Sequence, residues 1–475
     1  MDDRTENRPV VSRRAVLGMA VTSVAAIGVA ACGGSDEDGS TARTGTGEAA
    51  TIAKDAYIFG YPLVLMDFTR AADGATAPAN RFQHASALPT PAQRDVVRPD
   101  LDTLHSTAWL DLTGEPIVLR VPEMGGGRYW LVQLLDAWTN NVHNPSSLRP
   151  QAKSATPPYT YVVTGPGWSG VLPDGLTPMP MPTPTVWLTC RIQVGGNNDI
   201  RVVHELQQEL QLMPLSAWFA GTGPSAPAGP PSRWTEAQPL AEQVAKMGAR
   251  DFFHRMCAVM SINPPAPDDA PAMRRFATIG IRPGGKVKGI SDSELTAAAD
   301  TAKEQIPVSL GARTVNENGW VFDPDIGRYG TNYLLRAVIA WIGLGATLPE
   351  DSIFPTLFAT ADAAGSTGRF GLHFAPGQLP PVNAFWSLTA YGADSYLVPN
   401  PAEIYAIGHH APVVFNADGS LDLTLQHNDP GPSILRGNWL PIPEAGQFSV
   451  SLAMFAPKEE ALHGRWLPPR LLPLP

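Results

Sequence analysis

Forty-eight prolines and 44 glycines are spread along this chain, and they constrain its fold more than any other feature. Proline cannot donate to a sheet ladder and breaks a helix interior, and glycine favours turns. Short strands joined by turns are the expected result wherever apolar runs are brief. PIVLRVP (116–122), RYWLVQLLDAW (128–138), YTYVVTGPGW (159–168) and VWLTCRIQV (186–194) read as such strands. The proline-rich LTPMPMPTPT (176–185) reads as an extended connection, since proline has no place in a central strand.

Helical spacing of apolar residues appears in two other places. AATIAKDAYIFGYPLVLMDFTR (49–70) has it, with Pro62 expected to end or kink the helix. Residues 199–346 have it repeatedly, in DIRVVHELQQELQLM, in QPLAEQVAKMGARDFFHRMCAVMS and in the nearly all-apolar RYGTNYLLRAVIAWIGLGA. Ser291 and Glu294 form a capping box opening SDSELTAAADTAKEQI, and GPSAPAGPPS (223–232) reads as an exposed loop. Strands return after about 352, with a hairpin turn at Asn416–Gly419, and HGRWLPPRLLPLP at the end is expected to lie along a sandwich surface. The expected fold is α+β and multidomain, with β-sandwich-like modules at both ends and a helical middle. Its segments are a β-rich region at 49–197, a helical region at 198–350 and a C-terminal sandwich at 351–475, to which helix 328–346 belongs.

The first 31 residues read as a targeting signal. Arg13 and Arg14 precede a moderately apolar run that is too short and too rich in small residues to span a bilayer, as in a twin-arginine signal. The run ends in VAAC (29–32), which resembles a lipobox with Cys32 as the lipid acceptor, and residues 32–48 read as a flexible tether. Four Lys/Arg and three Asp/Glu fall within residues 1–31, which leaves 30 basic and 41 acidic residues and a net charge of −11. Such a surface argues against nucleic acid and against electrostatic attachment to anionic lipid. Membrane contact is therefore expected through lipid on Cys32, at the outer face of the cell membrane. Cys190 and Cys257 are then the only other cysteines, and one disulfide or two isolated buried thiols both fit.

The familiar catalytic motifs fail. Glu205 follows His204, but Gln208 stands where a zinc protease needs its second histidine; Ser169 has glycine on one side only; GTGEAA (45–50) follows no strand. His409 and His410 are adjacent, as in an exposed loop, and cannot chelate a metal as an i, i+4 pair does. The stretch VRPDLDTLHSTAWLDL (97–112) is more informative. Asp102 and His105 are the candidate acid–base pair or metal ligands, and Asp100 with Asp102 offers two carboxylates to Ca²⁺ or Mg²⁺. The alternative is an Asx-type turn in which Asp102 and Thr103 bond local backbone before the strand STAWLDL.

Ordered motifs across the chain carry a resemblance. AYIFGYPLVLM, DTLHSTAWLDL, RYWLVQLLDAWTN and GPGW resemble the bacterial domain-of-unknown-function family 1254. GRYGTNYLLRAVIAWIGLGA, LHFAPGQLPPVNAFWSLTAYG, LVPNP, ADGSLDL, NWLPIP and GRWLPP resemble its usual partner, family 1214. The resemblance implies β-sandwich modules flanking helices and implies no particular reaction. The family's Asn-x-Asp-Thr-x-Tyr pattern appears here as Asp100, Asp102, Thr103 and His105, so its first and last members differ. Its Asn-x-x-x-Arg-Tyr pattern appears with Asn400 and Tyr405 but Ile404 in place of arginine.

Two functions fit. One is a lipid-anchored protein binding a small molecule or partner between its β modules, with Asp100, Thr103, Arg128, Tyr129, Asp136, Asn140, Trp386, Tyr391 and Tyr405 as candidate ligand contacts. The other is an exported hydrolase using Asp102 and His105, for which a divalent metal is the candidate cofactor. Aromatics at strand positions, including Trp439, also fit a core role. Replacing Cys32 with alanine is expected to release the protein from membranes, and fractionation of cells carrying the variant checks this; persistent attachment would exclude a lipid anchor at Cys32.

Overall fold

The computed structural model describes residues 41–74, 78–94, 97–224, 240–309, 316, 318–322, 325–409 and 413–475. Arg13, Arg14, Cys32, residues 32–40 of the tether, residues 225–232 of the expected loop and His410 lie outside them. The fold is α+β, with two β-sandwiches and a helical layer, each around its own apolar core.

The first sandwich stacks two sheets. One is antiparallel, in the order Gln83–His84, Thr103–Asp111, Thr185–Gln193, Trp130–Asp136, Asn141–His143. The other runs Thr177–Pro180, Tyr159–Thr164, Ile117–Val121, Gln211–Pro214. Proline is tolerated in Thr177–Pro180 because that strand lies at the sheet's edge, so part of the expected connection is a strand. Alternation sorts the first sheet's side chains. Leu104, Ala108 and Leu110 join Leu188, Cys190 and Ile192 in the core. The intervening residues His105, Thr107, Thr189, Arg191 and Gln133 therefore project from the opposite face. That outer face is polar and yet largely covered.

The second sandwich pairs a six-stranded sheet, centred on Gln447–Phe455 between Thr356–Thr360 and Trp386–Gly392, with a four-stranded sheet at whose edge lies Leu472–Pro473. The proline-rich C-terminus thus adds an edge strand to this sandwich. Asn416–Gly419 forms its expected turn, with Gly419 at φ +84°, although no strand immediately precedes it.

Helix Thr41–Gly74 begins inside the segment read as tether and passes through Pro62 without ending. It packs mainly with the later helices Ala249–Ile262, Asp292–Val308 and Tyr333–Gly343, and touches the first sandwich where Asp73 accepts the Trp109 indole N–H at 2.8 Å and Phe59 meets Trp138. Phe252 stacks on Tyr57 at 4.0 Å, and Gly60 admits Met256 so closely that a Cβ there would lie 2.3 Å from its sulfur. This burial offsets the backbone bond lost at proline. The expected helix over 199–213 is shorter than its apolar spacing suggests. It ends at Glu209, and Gln211–Pro214 extends to pair with Ile117–Arg120, where a free sheet edge outweighs local helical preference. Ser291 caps Asp292–Val308 with Glu294 as expected. Cys190 and Cys257 are free, buried thiols in different cores. No helix among the described residues is long and apolar enough to cross a membrane.

Burial, and after it the charge of His204, lowers the pKa of His84 to about 4. The unfolded chain takes up that proton near pH 6.5, the folded chain only near 4, so folding stability falls as pH drops through this window. His84→Gln is expected to flatten the fall without abolishing it, because burial also lowers His105 and His143. Urea denaturation at several pH values from 4 to 7 measures the difference.

Candidate functional site

The stretch 97–112 sits where the two sandwiches meet. Asp100, rather than Asp102, makes the Asx-type turn: its Oδ1 accepts the Asp102 N–H at 2.7 Å and its Oδ2 the Thr103 hydroxyl at 2.5 Å. The turn leaves the Asp102 carboxylate to point across the seam. There Oδ2 accepts the Ser387 hydroxyl at 2.8 Å, and Oδ1 lies 2.9 Å from His409 Nε2. His409, expected in an exposed loop, is 11% exposed and lies 4.1 Å from the Phe385 ring. Its neighbourhood is set by strand Ala406–Gly408, which the local sequence does not announce. In a Ser–His–Asp relay the imidazole stands between hydroxyl and carboxylate. Here the carboxylate stands between, and Ser387 is fully buried, so the set joins two modules and activates no nucleophile.

His105 belongs to a different cluster. It lies opposite Arg191 in the ladder between Thr103–Asp111 and Thr185–Gln193, and both project from the polar outer face. His105 Nε2 is 3.0 Å from Asp100 Oδ2, and Arg191 Nη1 is 3.1 Å from the same oxygen and 2.8 Å from Nε2. Arg191 Nε donates to Gln133 Oε1 at 3.3 Å, and that oxygen also accepts the Thr189 hydroxyl at 3.2 Å. Burial alone would raise the Asp100 carboxyl, but the hydrogen bond and charge of His105, with Arg191 and Thr103, hold it well below the usual carboxylate range. Burial, and then the Arg191 charge, lowers His105. The cluster therefore holds an ionised aspartate, a neutral imidazole and a guanidinium. Asp102 and His105, the expected acid–base pair, are held by separate partners. Among the described residues no three His, Cys, Asp or Glu side chains are placed to share a metal ion, and at Asp100 the guanidinium already stands against both candidate donors.

The remaining candidates disperse. Arg128 grips Asp199 through both terminal nitrogens and donates to the Gln193 carbonyl at 2.7 Å. Tyr129 is buried edge-on to Phe385 and Phe455 and donates to the Asp351 carbonyl at 3.2 Å. Asp136 accepts from the Trp138 and Asn140 backbone and from the Asn140 amide, each at 2.9 Å, and so shapes a turn at the far end of its strand. It is paired with Val186, five residues from Arg191, which places it roughly 17 Å away along the ladder. Trp386 packs on Phe374, and Trp439 is core. Tyr391 donates to the Pro99 carbonyl at 3.1 Å beneath the Arg98 guanidinium.

Tyr405 lines an open concavity. A trough of about 550 Å³ runs between Thr90, Pro91 and Ala92 of the first module and Pro399, Asn400, Pro401, Glu403 and Tyr405 of the second. Asn400 is spent on the loop itself, its amide bonding the Val398 and Ile404 carbonyls and the Ile404 N–H. Arg191, Ser387 and His409 carried no motif in the sequence. Cross-strand pairing of a charged residue with His105 was the signal that a strand register would have supplied.

A DUF1254 domain, described as a protein of unknown function, matches residues 79–214, and a DUF1214 domain of the same description matches residues 356–459. Both domains are present, one in each sandwich. No curated protein matches the chain in sequence. The chain shares its fold with the VPA0106 protein of Vibrio parahaemolyticus, at 20% identity over 90% of this chain and 100% of that one, with a TM-score of 0.66. An uncharacterized protein from Burkholderia cenocepacia is a weaker likeness, at 12% identity over 90% and 94% of the two chains and a TM-score of 0.44.

Truncating Asp102 strands a hydroxyl and an imidazole in the seam. Asp102→Ala is expected to cost about 1–3 kcal/mol of stability, and a double-mutant cycle with His409→Gln to give a coupling of about 0.5–3 kcal/mol. Urea unfolding of the four proteins measures both; additive effects would show that the contact does not join the modules.

Proposed function

We propose that this is an exported, lipid-anchored protein that binds a small molecule between its two β modules. The observation that supports this is the seam trough, whose lining residues come from both modules. Ligands commonly occupy such junctions, with an apolar body held by aromatic and proline surfaces and a few polar groups fixing orientation. Here the prolines and the Tyr405 ring supply the apolar surface, and Glu403 supplies a carboxylate at its rim. The chemistry suits a neutral or cationic ligand with an apolar body and one hydrogen-bond donor. An anion would meet Glu403 and a chain already rich in negative charge.

Thermal-shift screening of small neutral and cationic amphiphiles tests the reading. Compounds that raise the Tm of the wild type are expected to lose at least tenfold in affinity against Tyr405→Ala, and cationic ones to weaken against Glu403→Gln. Hits unaffected by either substitution would place the ligand elsewhere.

A further inference from the structure

We infer that residues 165–173 and 215–220, at one end of the first sandwich, form a seat for the surface of a neutral lipid bilayer. The inference rests on the lipid-anchored reading for its reach to a membrane and is independent of the trough.

The sheet that holds Ile117–Val121 is apolar on both faces. Ile117, Leu119, Val163 and Leu212 enter the sandwich core. The alternate residues Val118, Val162 and Met213 form a second cluster with Leu176 and Leu215 on the outer face. Ile117 pairs with both Val163 and Pro214, so the chain leaves Tyr159–Thr164 and Gln211–Pro214 at the same end of the sheet. There the loop 165–173 and the short helix Leu215–Ala220 pack Trp168, Leu172 and Trp218 against the outer cluster. The helix is fixed at its start, where the Ser216 N–H and hydroxyl donate to the Glu115 carboxylate at 2.7 and 2.8 Å. From this support Val171 and Phe219 stand out, 91% and 61% exposed.

Shape and charge select the occupant. A side chain standing as clear as Val171 offers a folded partner little surface. A fluid bilayer closes around such a group and accommodates tryptophans at its interface. GPGWSGVLP (165–173) and LSAWFAGTGP (215–224) contain no charged residue, in a chain of net charge −10. Of the carboxylates that flank them, Glu115 is spent on the helix start and Asp174 follows the loop. An uncharged patch complements neutral headgroups, and the chain's negative charge disfavours anionic ones.

Reach is supplied by the anchor. Eight residues, 33–40, separate Cys32 from helix Thr41–Gly74 and extend at most about 30 Å. A lipid on Cys32 therefore keeps the folded chain close to the bilayer. Two apolar side chains hold weakly by themselves, as a single acyl chain does, so the patch orients the anchored protein and does not replace its anchor.

The test is hydroxyl-radical footprinting of the purified full chain with and without phosphatidylcholine vesicles. Oxidation of Trp168, Trp218 and Phe219 is expected to slow about threefold or more on the vesicles. Phe415, 46% exposed in the second module, is expected to keep its rate. Mixing phosphatidylglycerol into the vesicles is expected to weaken the protection. Val171→Asp with Phe219→Asp is expected to abolish it at Trp168 and Trp218 with Tm unchanged, because neither side chain is buried. Unchanged oxidation at Phe219 overturns the inference; if the chain nevertheless floats with the vesicles, the anchor stands without the seat. Protection that survives the double substitution overturns it as well. Protection that grows with protein concentration in the absence of lipid assigns the patch to a second copy of the chain and overturns the bilayer. Should the double variant fail to fold, the contrast between Phe219 and Phe415 in the wild type decides.

Discussion

A carboxylate removed from water must have its oxygens met by donors, and Asp102 has the second sandwich meet them. Ser387 and His409 come from one strand and the end of another, so satisfying Asp102 positions both strands against the first sandwich. Other bonds then cross the same seam in register with it. Arg98 donates to Ser449 at 2.8 Å, Tyr391 to the Pro99 carbonyl at 3.1 Å, and Asn144 to the Asp351 carboxylate at 2.7 Å. The trough and the outer sheet face owe their shape to that alignment.

The two departures from the family pattern in this stretch fall on residues that touch. Asp100 stands where the resemblance places Asn, and His105 where it places Tyr, and their side chains are 3.0 Å apart. A neutral amide and a phenol could share one hydrogen bond. An aspartate and a histidine form instead a polar pair whose charge Arg191 balances. The unchanged members between them, Asp102 and Thr103, serve the seam and the turn. One short stretch thus performs two separable tasks, joining modules with one carboxylate and orienting an imidazole with the other.

Much of the architecture was legible because its causes are local. Proline and glycine density limited strand length, and the short apolar runs PIVLRVP, YTYVVTGPGW and VWLTCRIQV each hold a strand of the first sandwich. The misjudged elements share one cause, which is partnership with distant chain. QLMP became a strand because the Ile117–Arg120 edge lay open to it, and helix Thr41–Gly74 ran through Pro62 because Phe252 and Met256 pack against it. At the site, Asp100, Asp102, Thr103 and His105 were visible as a group, but their pairings were not. Asp102 and His105 are close in sequence, yet the turn at Asp100 sends their side chains to different partners.

The sequence by itself determined the α+β class, the two domain families and the stretch in which the charged residues gather, since periodicity and ordered motifs are properties of neighbouring residues. Only the tertiary structure decided which carboxylate meets which imidazole. Asp102 finds His409 across 307 positions, and Asp100 and His105 find Arg191 through a strand register set some 86 residues away. Such contacts depend on how sheets align and stack, and no local pattern encodes that alignment.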